Sequence, residues 1–126
     1  MIITIERLPA TVWLRAEADS AKWGTLLLMY ESVWLVSELN RQIRTEGKAA
    51  SRKLIIDQTI EVDVETLRGA EYCCHIGLRT DVDGKTETEM LSLKRHTAIE
   101  LMHALNNAQT DRAKTVRKIE CTGEIS

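Results

Sequence analysis

Residues 71–93 read EYCCHIGLRTDVDGKTETEMLSL, and the fold turns on how this stretch is paired. Asp83-Gly84 is a two-residue hairpin signal between apolar-rich runs. A two-residue loop sets Val82 opposite Lys85, and the rest of the register follows. Ile76 then faces Leu91, Cys74 faces Leu93, and His75 faces Ser92. Side chains alternate along a strand, so Tyr72, Cys74, Ile76 and Leu78 share the core face. Cys73, His75 and Arg79 share the other face with Thr88, Met90, Ser92 and Lys94. Cys74 therefore reads as a small buried hydrophobe, the usual role of a free cysteine.

Working outward, IITIERL (2–8) and TVWLRAEA (11–18) read as two short strands around Pro9-Ala10. In the second, Val12, Leu14 and Ala16 point one way, and Trp13 and Arg15 the other. DSAKWGTLLLMYESVWLVSELNRQIRTEG (19–47) reads as one long helix, with Asp19 or Ser20 as N-cap and Gly47 as C-cap glycine. Gly24 costs about 1 kcal/mol relative to Ala in a helix interior. Trp23, Leu27, Tyr30 and Trp34 run down one side of this helix and Leu28, Leu35 and Leu39 down another. A surface helix keeps a polar face. An apolar surround predicts burial on two sides, and in a chain this small the second cover is another copy.

RKLIIDQTIEVDVETL (52–67) alternates, with Ile56, Ile60, Val62 and Val64 inward and Asp57, Glu61, Asp63 and Glu65 outward. The acids read as a solvated strand face, because their spacing matches no calcium loop. KRHTAIELMHALNNAQTDRAK (94–114) reads as an amphipathic helix opened by a Thr97/Glu100 capping box. TVRKIECT (115–122) reads as a last strand. No internal repeat is visible. The order ββ-α-βββ-α-β makes a single α+β domain over 1–126 with mostly antiparallel pairing.

With 17 Lys and Arg against 19 Asp and Glu, the formal charge is -2, so no direct DNA or RNA binding is expected. The start of the chain carries charges too early for a signal peptide, and no membrane span is visible. Three cysteines, two of them adjacent, do not make a disulfide framework, which fits a reducing cytoplasm. Cys73, His75, His96, His103 and Cys121 are the soft metal ligands, and no spacing brings four together, so no metal is expected. There is no GxGxxG, GxxxxGK[ST] or GxSxG, and no carboxylate pair in an apolar setting. The sequence asks for no cofactor and favours a protein that binds over an enzyme.

The binding candidates are Trp13 and Tyr72 for stacking a base, and Arg15, Arg79, Arg112 and Arg117 for phosphates. Arg112, Lys114, Arg117 and Lys118 also form a cationic cluster on an acidic protein.

The long aromatic helix WGTLLLMYESVWLVSELNRQI (23–43) and the block CCHIGLRTDVDGKTETEMLSLKRHTAIELMHALNNA (73–108) together resemble the small phage anti-Thoeris sponge proteins. Those proteins bind signalling nucleotides such as cyclic ADP-ribose isomers, and in some cases cyclic oligonucleotides, without cleaving them. The resemblance implies a homo-oligomer in the host cytosol, ligand pockets between protomers, an aromatic stack for the base and arginines for the phosphates. An acidic protein-directed inhibitor or adaptor of the anti-CRISPR type is the alternative, with Glu61, Asp63 and Glu65 mimicking nucleic-acid charge.

Overall fold

Two antiparallel sheets and two helices make up the computed structural model, which describes residues 1–45, 48–65, 71–110 and 115–126. The first sheet has the order β3-β2-β1-β8, with β1 Ile2–Arg7, β2 Thr11–Ala18, β3 Ala21–Leu28 and β8 Val116–Glu120. The second has the order β4-β5-β6-β7-β9, with β4 Ala50–Lys53, β5 Thr59–Val64, β6 Cys74–Val82, β7 Lys85–Leu93 and β9 Gly123–Ile125. The helices are α1 Met29–Thr45 and α2 Arg95–Thr110. The α+β class is as expected, with both helices in their expected order and three further strands resolved among the rest.

The β6–β7 hairpin has the register read from its turn: Val82↔Lys85, Ile76↔Leu91, His75↔Ser92 and Cys74↔Leu93. Asp83 and Gly84 both take positive φ, 51° and 75°, as a twisted two-residue turn requires. Cys74, Ile76 and Leu78 are buried, and Tyr72 precedes the strand and is only half-buried.

The expected long helix is corrected. Asp19-Ser20 is a second two-residue turn, with Asp19 at φ 50°, and it pairs Ala18 with Ala21. Residues 21–28 continue as β3, whose Trp23, Thr25 and Leu27 are buried while Lys22 and Leu26 face out. Period-two alternation overrides the helical spacing because the β2 partner is already in place. The switch to helix comes at Met29, and Glu31 holds it. Its Oε1 accepts the Leu28 N–H at 2.8 Å, which is the reach-back half of a capping box. Its Oε2 accepts the Ile55 N–H at 2.9 Å. The expected apolar surround is thus divided between a strand and a shorter helix. Leu35, Leu39 and Ile43 of α1 are buried, whereas Tyr30 and Val33 are each 52% exposed. The proposed C-cap Gly47 lies outside the described residues.

Two smaller expectations are also corrected. Ile56 is exposed, because a turn at Leu54–Gln58 splits the acidic strand into β4 and β5, and Asp57 takes φ 66° there. Thr97 does not cap α2. It sits inside the first turn with its hydroxyl buried and unpartnered among the described residues, and Ala98 N–H bonds Lys94 C=O.

Despite the absence of a sequence repeat, the halves share a topology. Three meandering strands lead into a helix twice, as β1-β2-β3-α1 and β5-β6-β7-α2. The strand after each helix pairs with the first strand of a meander, β4 with β5 and β8 with β1. Each helix reaches the sheet of the other half. The Gln42 side chain of α1, fully buried, donates to Val62 C=O at 3.1 Å and accepts from Val64 N–H at 2.8 Å. Arg7, at the end of β1, donates to the Ala108 and Gln109 carbonyls that end α2, where a cation meets the negative end of the helix. Arg95 donates to Ile43 C=O and Gln109 to Ser32 Oγ, so the helices lie antiparallel.

Removing the Glu31 carboxylate leaves two backbone N–H groups without acceptors. Glu31→Ala should cost roughly 2–4 kcal/mol of stability in urea unfolding, against well under 1 kcal/mol for Glu38→Ala. Equal losses would remove Glu31 from its role at the switch.

Candidate functional site

The outer face of the first sheet is a grid fixed by register. One row runs Val116, Glu6, Trp13, Leu26 and the next Lys118, Thr4, Arg15, Gly24. A third runs Glu120, Ile2, Glu17, Lys22. Trp13 is 41% exposed, and the Arg15 guanidinium carbon stands 4.1 Å from the centroid of its ring. Arg15 Nη2 reaches Glu6 Oε1 at 3.4 Å. Arg15 Nη1 is covered and has no hydrogen-bond partner among the described residues. An unpaired buried donor on a charged group is costly, so this arginine is under-satisfied as it stands.

Gly24, on β3, stands directly across from Arg15. A Cβ there would come within 3.1 Å of Arg15 Cβ and 3.3 Å of Leu14 C=O, the close approach that a strand glycine often marks. Beside it opens a cavity of about 430 Å³, lined by Trp13, Arg15, Glu17, Lys22 and Gly24 with Ala16 and Trp23 beneath. That volume lies within the usual range for small-molecule sites. Trp23 is the anchor below, its Nε1 donating to Glu89 C=O of β7 at 3.3 Å.

The other sequence-derived candidates stand elsewhere. Arg79 is on the outer face of the second sheet, 2.8 Å from Glu61 Oε1, which also interrupts the acidic row on β5. Tyr72 is half-buried beside carboxylates. Desolvation, then Glu71 and Glu124, push its phenol pKa above the ordinary value, a poor setting for an anionic ligand. Arg117 points to the α2 side of its sheet, opposite to Arg15. It lies 3.9 Å from Glu100 and lines a cleft of about 180 Å³ with Ile5, Asn107 and Thr115. Arg112 lies outside the described residues. Trp13 and Arg15 are thus brought together, and Arg79, Tyr72 and Arg117 are apart from them. A further concavity of about 450 Å³ is lined by Tyr30, Lys53, Leu54, Ile55 and Asp57, and the Arg52 guanidinium lies over the Tyr30 ring.

Lys22 and Gly24 are not legible as site residues because they fall in the expected helix, and Glu6, on an expected strand, meets Arg15 only through the β1–β2 pairing. The signal was present in the alternation of Lys22, Gly24 and Leu26 against Trp23, Thr25 and Leu27.

His75 Nδ1 lies 2.9 Å from Ser92 Oγ, and Asp63 stands in the same cross-strand row. No hydrogen bond joins Asp63 to His75 among the described residues. Also among the described residues, no cluster of three or more His, Cys, Asp or Glu could hold a metal ion, and no helix is long and apolar enough to cross a membrane. All three cysteines are free. Burial raises the pKa of each, and that of Cys74 reaches about 12.

No protein-family model matches this chain, and neither a curated protein nor a solved structure matches it.

The Cys74 thiol keeps its proton in the folded chain and loses it near pH 9 when unfolded. Its contribution to stability is therefore complete below pH 9. It falls as pH rises from 9 toward 12, by at most about 1.4 kcal/mol per pH unit. Urea unfolding across that range should show a shallower decline in Cys74→Ala than in the wild type. Parallel declines would count against the buried thiol as the cause.

Proposed function

We propose that this protein is a non-enzymatic binder of a small nucleotide-type anion, held on the Trp13–Arg15 shelf. The observation that carries the reading is the Arg15 guanidinium, stacked on Trp13 and short of a partner at Nη1, on the wall of a ligand-sized cavity. A planar base has the Trp13 face and the flat guanidinium to stack on. A phosphate exchanges with Glu6 for Arg15 and supplies the acceptor that Nη1 lacks, after a small rotation of the guanidinium. Lys22 adds a second cation at the rim. Of the arginine candidates, Arg15 is the one joined to an exposed aromatic face, which favours it over Arg79 and Arg117.

Sequestration rather than turnover is supported by the chemistry around the shelf. Its lining holds no cysteine, histidine or serine, and the raised thiol pKa values leave little thiolate at neutral pH. Taken with the resemblance to anti-Thoeris sponges, the ligand class is cyclic ADP-ribose isomers or cyclic oligonucleotides. Function then consists of withholding that signal from an antiphage defence in the host cytoplasm.

The test is to incubate the protein with cyclic ADP-ribose isomers and cyclic di- and trinucleotides, remove free ligand, heat-denature, and chromatograph the supernatant. Intact ligand should be recovered in stoichiometric amount. Trp13→Ala and Arg15→Ala should each weaken binding at least about tenfold, the loss of a stacking platform or a charge-assisted bond. Arg79→Ala should leave it unchanged. Degraded ligand, or binding that ignores Arg15, would overturn the reading.

A further inference from the structure

Strand edges offer unpaired backbone groups, and proteins guard them with charge, proline or brevity. Three of the four edges here are guarded. β4 has four residues, with Arg52 and Lys53 among them, and β9 has three. β8 has five residues, of which Arg117, Lys118 and Glu120 are charged. β3 is different. It is eight residues long, AKWGTLLL, with Lys22 as its single charge, and among the described residues it pairs with β2 alone. Exposed apolar side chains continue from it: Leu26 on the strand, then Tyr30 and Val33 in the first turns of the helix that follows directly.

We infer that the β3 edge pairs antiparallel with β3 of a second copy of this chain. The strand is self-complementary about Thr25. A twofold axis there sets Trp23 opposite Leu27, Gly24 opposite Leu26, and Lys22 opposite Leu28 of the second copy. Core-facing side chains then meet core-facing ones across the new pair, as strand alternation requires. The two four-stranded sheets become one of eight, and both Trp13–Arg15 shelves lie on one face of it. The pairing rests on backbone and side-chain pattern alone, independent of the ligand reading.

The experiment is sedimentation velocity of the full chain across the micromolar range, with hydrogen–deuterium exchange at the two ends of that range. A dimer should form, and amides within 22–28 should exchange more slowly in it than in the lone chain. Two variants test the register, and each is checked for folding by circular dichroism. Leu28→Lys sets an ammonium opposite Lys22 of the second copy, twice per dimer. Leu28→Glu sets a carboxylate there. Like charges directly opposite destabilise a strand pair and opposite charges stabilise it, so Leu28→Lys should dimerise at least about fivefold more weakly than Leu28→Glu. A wild type that stays monomeric, a dimer whose 22–28 amides exchange as fast as in the monomer, or equal affinity in the two variants overturns the inference.

Discussion

Everything distinctive in this fold follows from where β3 stops and α1 starts, and one buried carboxylate decides it. Glu31 is 1% exposed and spends each oxygen on a backbone N–H, one from Leu28 and one from Ile55. The first bond ends the strand, and the second fastens the β4–β5 turn to the same point. With the switch at Met29, residues 21–28 remain in the sheet. Trp23 can then enter the core and reach β7, and Gly24 can stand across from Arg15. A helix through 21–28 would have removed both the β3 side of the shelf and the β3 edge.

Elsewhere the same device recurs: a buried or half-buried polar side chain completes a backbone that has lost its partner. Gln42 acts as a surrogate strand residue on β5, and Arg7 closes the end of α2. These bonds cross between the two βββα halves, so each half is completed by the other. A bond of this kind adds about 0.5–1.5 kcal/mol when made, and up to about 3 kcal/mol for a charged donor such as Arg7, whereas an orphaned buried partner costs about 1–3 kcal/mol. They therefore specify the arrangement more than they add to the stability supplied by the apolar core.

The sequence was most legible where local chemistry is decisive. Asp83-Gly84 fixed a turn, and from it the register of β6 and β7 followed residue by residue. The amphipathic stripe Ala98, Leu101, Met102, Leu105 and Ala108 gave α2, with Met102 only partly buried at its margin. Residues 21–28 were misread because Trp23, Leu27, Tyr30 and Trp34 also satisfy a spacing of three and four, and Asp19-Ser20 suits a helix cap as well as a hairpin turn. Only the presence of β2 alongside resolves that ambiguity. Glu31 and Gln42 could not be found from sequence, because nothing local distinguishes a helix carboxylate or amide that bonds a distant backbone from one in water. For the site, alternation on β2 paired Trp13 with Arg15, but which arginines share a surface depends on sheet order and lies beyond local pattern.

We propose that Trp13, Arg15 and Gly24 form one anion-binding surface, and amide and indole NMR during titration with a cyclic ADP-ribose isomer would test this most directly. The Trp13 indole N–H, the Arg15 side-chain signals and the Gly24 amide should move together and saturate. The Arg79 and Tyr72 signals should stay in place. Saturable shifts centred on Arg79, Tyr72 or Arg117 with the Trp13 indole unmoved would contradict it.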